Sequence, residues 1–200
     1  MSIFSLFRKP EVTAQSIGEK LVRASLLYRK ELAHSDNNQS ADAGVEVAYL
    51  VLHLLDREIF VRFGASQRDV LFDPIAQNVI ASYAKAALSP ETPEAVVFET
   101  AKRMQDTLNS RQLTYAKCRS LLGEKFPGIG TMVFAFCFFV HRALGRTNRL
   151  DVAEILSGEK QLSESDQRDF PDVEAILRCA AWVGSILKGM RIPQDAKYLR

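Results

Sequence analysis

Ala43-Gly44-Val45-Glu46-Val47-Ala48-Tyr49-Leu50-Val51-Leu52-His53-Leu54-Leu55-Asp56-Arg57-Glu58-Ile59-Phe60-Val61-Arg62-Phe63 carries an apolar side chain at most of its positions. Wound at 100° per residue, those side chains cover nearly the whole circumference of a helix, and a helix of that kind has to be covered on all sides by others. Five of its polar groups, Glu46, Tyr49, His53, Asp56 and Arg57, fall within one sector of roughly 100°. Asp42 stands just before the run, where a carboxylate takes up a free backbone N–H, and Gly64 stands just after it as a closing glycine. The expected helix therefore covers about residues 43–63.

On the N-terminal side, Ile17, Leu21, Ala24, Tyr28 and Leu32 recur at helical spacing between Val12 and His34, which predicts a first helix. The polar segment from Ser35 to Ser40 separates the two. On the C-terminal side, Asp73-Pro74 has the grammar of a helix start, with Ile75, Val79, Tyr83 and Ala86 as the apolar face of a third helix that stops before Pro90. Thr92-Pro93-Glu94 repeats that grammar for a fourth helix, carrying Val97, Ala101, Met104, Leu108, Tyr115 and Leu122. The run Thr131-Met132-Val133-Phe134-Ala135-Phe136-Cys137-Phe138-Phe139-Val140 continues into His141-Arg142-Ala143-Leu144 and has no strand partner, so it reads as a fifth helix buried on all sides. A short helical segment from Leu150 to Leu156 and a last helix from about Pro171 to Met190 complete the pattern. The expected fold is all-α, a compact bundle of about six helices with two central, very apolar ones. Residues 12–192 form its single domain, 1–11 an N-terminal segment and 193–200 a tail.

Two hundred residues, 47% of them apolar and 25% charged, match an ordinary globular chain and exclude a disordered or rod-like one. The longest uncharged stretch, Phe126 to His141, is sixteen residues; about 18 are needed to cross a bilayer, so no transmembrane segment is expected. Ile3, Phe4, Leu6 and Phe7 precede Arg8 and Lys9, the wrong order for a secretory signal and too little for membrane-surface anchoring. Packing of this segment onto the domain or onto a second copy is the preferred reading. Cys118, Cys137 and Cys179 are odd in number and far apart, which fits reduced thiols in the cytoplasm. From Lys102 to Arg149 nine basic residues face two acidic ones, and from Asp151 to Glu174 eight acidic residues face two basic ones. The two blocks complement each other within the fold on the plainest reading.

Chemistry-bearing patterns are sparse. Glu31 and His34 are the one Glu-x-x-His pair, and a dinuclear carboxylate bundle needs two such pairs plus further glutamates. His34, His53 and His141 are too far apart in sequence for a His-Glu-x-x-His zinc site. Cys137 and His141 share a helical face but read as a small core residue and a residue at the edge of the core. No metal, no cofactor and no catalytic residue is therefore expected. Two candidate groups remain. Tyr49, His53 and Asp56, one turn apart, could form a hydrogen-bonded set lining a ligand pocket, joined by His141; the plainer alternative is an exposed strip, or internal pairing such as Glu46 with Arg57. Arg142, Arg146 and Arg149 could bind an anion, although the acidic segment that follows is their nearer partner. The function expected first is a cytoplasmic interaction or structural module that self-associates or binds a protein partner. A small-molecule-binding or enzymatic bundle using the polar stripe comes second, and weak nucleic-acid binding through residues 102–149 third and disfavoured.

Overall fold

The structure, a computed structural model, describes residues 16, 18–23, 39–120, 130–143 and 154. Among them the chain is all-α. Residues 18–23 are helical (α1), followed by α2 (Gln39–Phe63), α3 (Ala65–Ala87), α4 (Glu94–Ala116) and α5 (Met132–Ala143). α2 packs against α3, α4 and α5, and α4 also packs against α3 and α5. No described helix is long and apolar enough to cross a membrane.

The apolar run of α2 is buried over its first part, whereas Phe60 and Val61 near its end are 50% and 74% exposed, contrary to a helix covered on all sides. Every residue from Glu46 to His53 is buried, so more than two turns of α2 have no side that meets water. Residues 133–140 of α5 are likewise all buried. α3 buries a stripe at helical spacing, Leu71, Phe72, Ile75, Ala76, Val79, Ile80, Tyr83 and Ala84, whereas Ala86, expected on that face, is exposed. α1 joins the same core through Leu21, and its Gly18 lies so close to α3 that an added Cβ would stand 2.9 Å from Oδ1 of Asn78.

Three boundaries differ from the sequence expectation. α2 begins at Gln39, which places Asp42 inside its first turn and not at a cap, and takes Gln39 and Ser40 out of the expected loop. α3 begins at Ala65, directly after α2, so Asp73-Pro74 lies within a helix. The reason is Gly64, whose φ of 77° and ψ of 173° turn the chain in a single residue. Its N–H donates to the Phe60 carbonyl (2.9 Å), and its carbonyl accepts from Arg68 N–H (3.2 Å), ending one helix and starting the next. Pro74 deprives the Val70 carbonyl of its N–H partner, but Pro74 and Val70 are both exposed, where water can replace it. α4 starts after Pro93 as expected but ends at Ala116, short of Leu122, and runs unbroken through Asn109-Ser110. The expected helices over 150–156 and 171–190 lie outside the described residues apart from Glu154, as do residues 1–11 and 193–200.

The end of α4 is tied to the start of α5. Arg119 N–H donates to the Gly130 carbonyl and Met132 N–H to the Ser120 carbonyl, both at 2.9 Å, forming an isolated parallel bridge between Ser120 and Thr131. Thr131 then caps α5: its Oγ1 accepts from Phe134 N–H at 3.1 Å. Gly64 gives the sharpest test of the turn between α2 and α3. A Cβ there meets nothing within 4 Å, so the cost of Gly64→Ala is backbone strain alone. A loss of about 1–3 kcal/mol in urea unfolding is expected, because this combination of angles is nearly exclusive to glycine.

Candidate functional site

The polar stripe of α2 does not reach solvent as one strip; its members part company. Glu46, Tyr49 and His53 are buried, Asp56 is half-buried and Arg57 is exposed. Glu46 does not pair with Arg57. Its carboxylate meets Arg111 of α4, which donates Nε–H to Oε2 at 2.8 Å and Nη2–H to Oε1 at 2.6 Å. The two side chains are only 7% and 15% exposed. Burial pulls the Arg111 guanidinium down, but the hydrogen bonds and charge of Glu46 outweigh it and hold the group above its ordinary pKa. The Arg111 Cζ lies 3.7 Å from the centroid of the Phe139 ring of α5, a cation–π contact in a water-poor setting. One ion pair therefore locks three helices together.

Beside it stands an aromatic cluster. The Tyr115 ring meets the edge of Phe139 (centroids 5.9 Å, 82°) and lies 5.3 Å from the His53 ring at 44°. Neither His53 nitrogen, nor the Tyr115 hydroxyl, has a hydrogen-bond partner among the described residues. Burial, with a contribution from Glu46, keeps the Tyr115 phenol well above its ordinary pKa and therefore neutral. The expected Tyr49–His53–Asp56 hydrogen-bonded set is not formed. Asp56 instead accepts from Arg68 Nε of α3 at 2.5 Å, and Arg68 also bonds Asp69 at 2.6 Å and lies over the Phe72 ring. The hydrogen bond to Asp56 is the main reason the Arg68 guanidinium is held above its ordinary pKa.

A cleft of about 360 Å³ opens between α2, α4 and α5, lined among others by Glu46, Tyr49, Met104, Arg111, Phe139 and Arg142. Of the residues singled out in the sequence, it brings together Tyr49 and Arg142; His53 and Asp56 are not in its lining. Arg142 is exposed, whereas Arg146, Arg149 and the side chain of His141 lie outside the described residues. Cys137 is buried and Cys118 half-buried, both unbridged, and burial pushes the Cys118 thiol up to about 11. No group of three or more metal-ligating side chains occurs among the described residues. Arg111 is the residue that sequence reasoning missed. Its signal was present: it continues the inward stripe of half-buried Met104 and buried Leu108 and Tyr115 on α4, and an arginine in an apolar stripe calls for a buried carboxylate.

Two outcomes follow from this geometry. Removing one member of the pair strands the other charge, so Arg111→Met is expected to cost about 3–5 kcal/mol in urea unfolding, and Glu46→Leu combined with Arg111→Met markedly less. Equal losses in the single and double variants would show that the pair itself is not responsible. His53 links stability to pH. Burial lowers its pKa from 6.5 to about 4, against a smaller upward pull from Asp56. The unfolded chain takes up this proton near pH 6.5 and the folded one only near 4, so stability is full above the first value and falls as pH drops through the interval. The contribution is on the order of 3 kcal/mol. His53→Leu should remove this part of the difference between unfolding measured at pH 7 and at pH 4.5; an unchanged difference would mean that His53 is protonated in the folded state.

No model of a known family, no curated protein and no solved structure matches the chain.

Proposed function

We propose that the protein is a helical interaction module that pairs with a second copy of itself through the outward face of α4. The observation that carries this reading is the exposure of Phe98 and Leu113, 68% and 69%, the two most exposed of the large apolar residues of α4. At 100° per residue Phe98, Lys102, Gln105, Asp106, Asn109 and Leu113 share one side of α4. Fifteen residues separate Phe98 from Leu113, or about 22 Å along the axis.

That face is complementary to itself. Two antiparallel copies of α4, related by a two-fold axis between Gln105 and Asp106, set Phe98 of one against Leu113 of the other at both ends. The same alignment brings Lys102 of one copy within a turn of Asp106 of the other. Closed two-fold pairing of one patch with itself is the commonest way for a chain to assemble. A groove of about 550 Å³ between α3 and α4, floored by Phe72, Ala76 and Ile80 and edged by Phe98, gives the face relief into which side chains of the partner can insert. The same reading takes the whole chain as a bundle of about six helices with α2 and α5 at its centre, working in the cytoplasm. Nucleic-acid binding is less well supported, because Arg111 of the basic block lies within a cleft beside Glu46, only 15% exposed, out of reach of a polyanionic backbone.

Sedimentation equilibrium tests the pairing. The protein is expected to be a dimer at micromolar concentration. Phe98→Glu, at an exposed position, should weaken association at least tenfold, by about 1.4 kcal/mol or more, while leaving the thermal unfolding midpoint of the monomer in place. A wild-type chain that stays monomeric at 100-fold higher concentration would sink the proposal.

A further inference from the structure

The opposite side of α4 carries different chemistry. Thr100, Met104, Thr107 and Arg111 lie about 180–240° around the helix from Phe98 and face the cleft between α2, α4 and α5. We propose that this cleft is a binding site for a small monocarboxylate with an apolar body, its carboxylate held by Arg111 and Arg142 and its body against Met104 and Val45.

Arg111 is prepared for such a role. A guanidinium has five N–H groups. Glu46 engages Nε and Nη2, and Phe139 lies against one face, so position and plane are both fixed. Arg111 makes no other hydrogen bond among the described residues, so Nη1 and the second Nη2 proton remain as donors in the wall of the cleft. A pinned arginine gives up little side-chain freedom on meeting a carboxylate, which is the main cost of recruiting a mobile one. Arg142 adds a second, exposed cation on the same cleft. With Glu46 balancing Arg111, the charged side chains of the lining sum to +1, matching a single negative charge.

The remaining lining selects the rest of the ligand. Met104 and Val45, both half-buried, offer a pliable apolar surface suited to an alkyl or aromatic group. A volume of about 360 Å³ falls at the lower end of small-molecule pockets and is too small for a folded partner. This site is separate from the α4 pairing face, so the fate of one proposal does not decide the other.

Isothermal titration of the full chain with phenylacetate and hexanoate, each against its neutral amide, tests the site. Both carboxylates are expected to bind saturably with one site per chain, and both amides at least tenfold more weakly. Arg142→Gln, at an exposed position, should weaken the carboxylates at least tenfold, with Arg142→Lys recovering part of the loss. Ala87→Trp, which fills the mouth of the cleft from an exposed position on α3, should abolish binding with the thermal unfolding midpoint unchanged. Absence of saturable binding, equal affinity for acid and amide, or binding indifferent to both Arg142→Gln and Ala87→Trp would each overturn the proposal.

Discussion

Burial of Glu46 through His53 without interruption leaves α2 no wet side for two full turns, and the rest of the described structure answers to that constraint. A buried apolar side chain is content with any close-packed neighbour, but a buried carboxylate is not. Taking Glu46 out of water costs several kcal/mol unless an opposite charge goes with it. The guanidinium of Arg111 supplies that charge in a two-point geometry, and the Phe139 ring beneath it supplies polarizable surface where water would otherwise be needed. Because the three side chains come from α2, α4 and α5, the electrostatics of one buried group fix the mutual placement of three helices. Van der Waals packing between apolar helices tolerates small slips along their axes; a bidentate pair does not.

His53 shows the other way in which a buried polar group is tolerated. It has no counter-charge in contact and remains neutral, with the cost carried as a depressed pKa. Glu46 and His53 lie two turns apart on the same helix, and the aromatic contacts of Tyr115 with Phe139 and His53 connect their surroundings. One stripe thus contains a charge that is matched and a base that is silenced. Asp56, one turn further along, sits nearer to solvent and turns to Arg68, which marks where α2 leaves the interior.

Much of this was legible in the amino-acid sequence because it depends on periodicity. The helices over α2, α4 and α5 were marked by apolar spacing and by Pro93, and the inward positions Ile75, Val79, Leu108 and Tyr115 follow the 3.6-residue repeat. The start of α3 was misread because Asp73-Pro74 is a strong local signal, while the tertiary burial of Leu71 and Phe72 carries the helix back to Gly64. Local grammar gave way to packing there. The candidate site was legible only in part. Tyr49 and Arg142 were singled out, yet the pairing of Glu46 with Arg111 spans 65 residues of sequence, and no local pattern specifies which carboxylate an inward-facing arginine will find. The separation of Asp56 from His53 was equally hidden, since it depends on where Arg68 of the next helix happens to stand.

The pair also shapes the routes along which this sequence can change over generations. A domain is typically only about 5–15 kcal/mol more stable than its unfolded chain, so an intermediate that loses either Glu46 or Arg111 alone loses a large share of that margin. Replacement of both by apolar residues is an acceptable end state, but the single steps leading to it are not. Descendants of this sequence are therefore expected to keep both positions or to exchange both, and the two columns should covary even though one helix and two turns of chain stand between them.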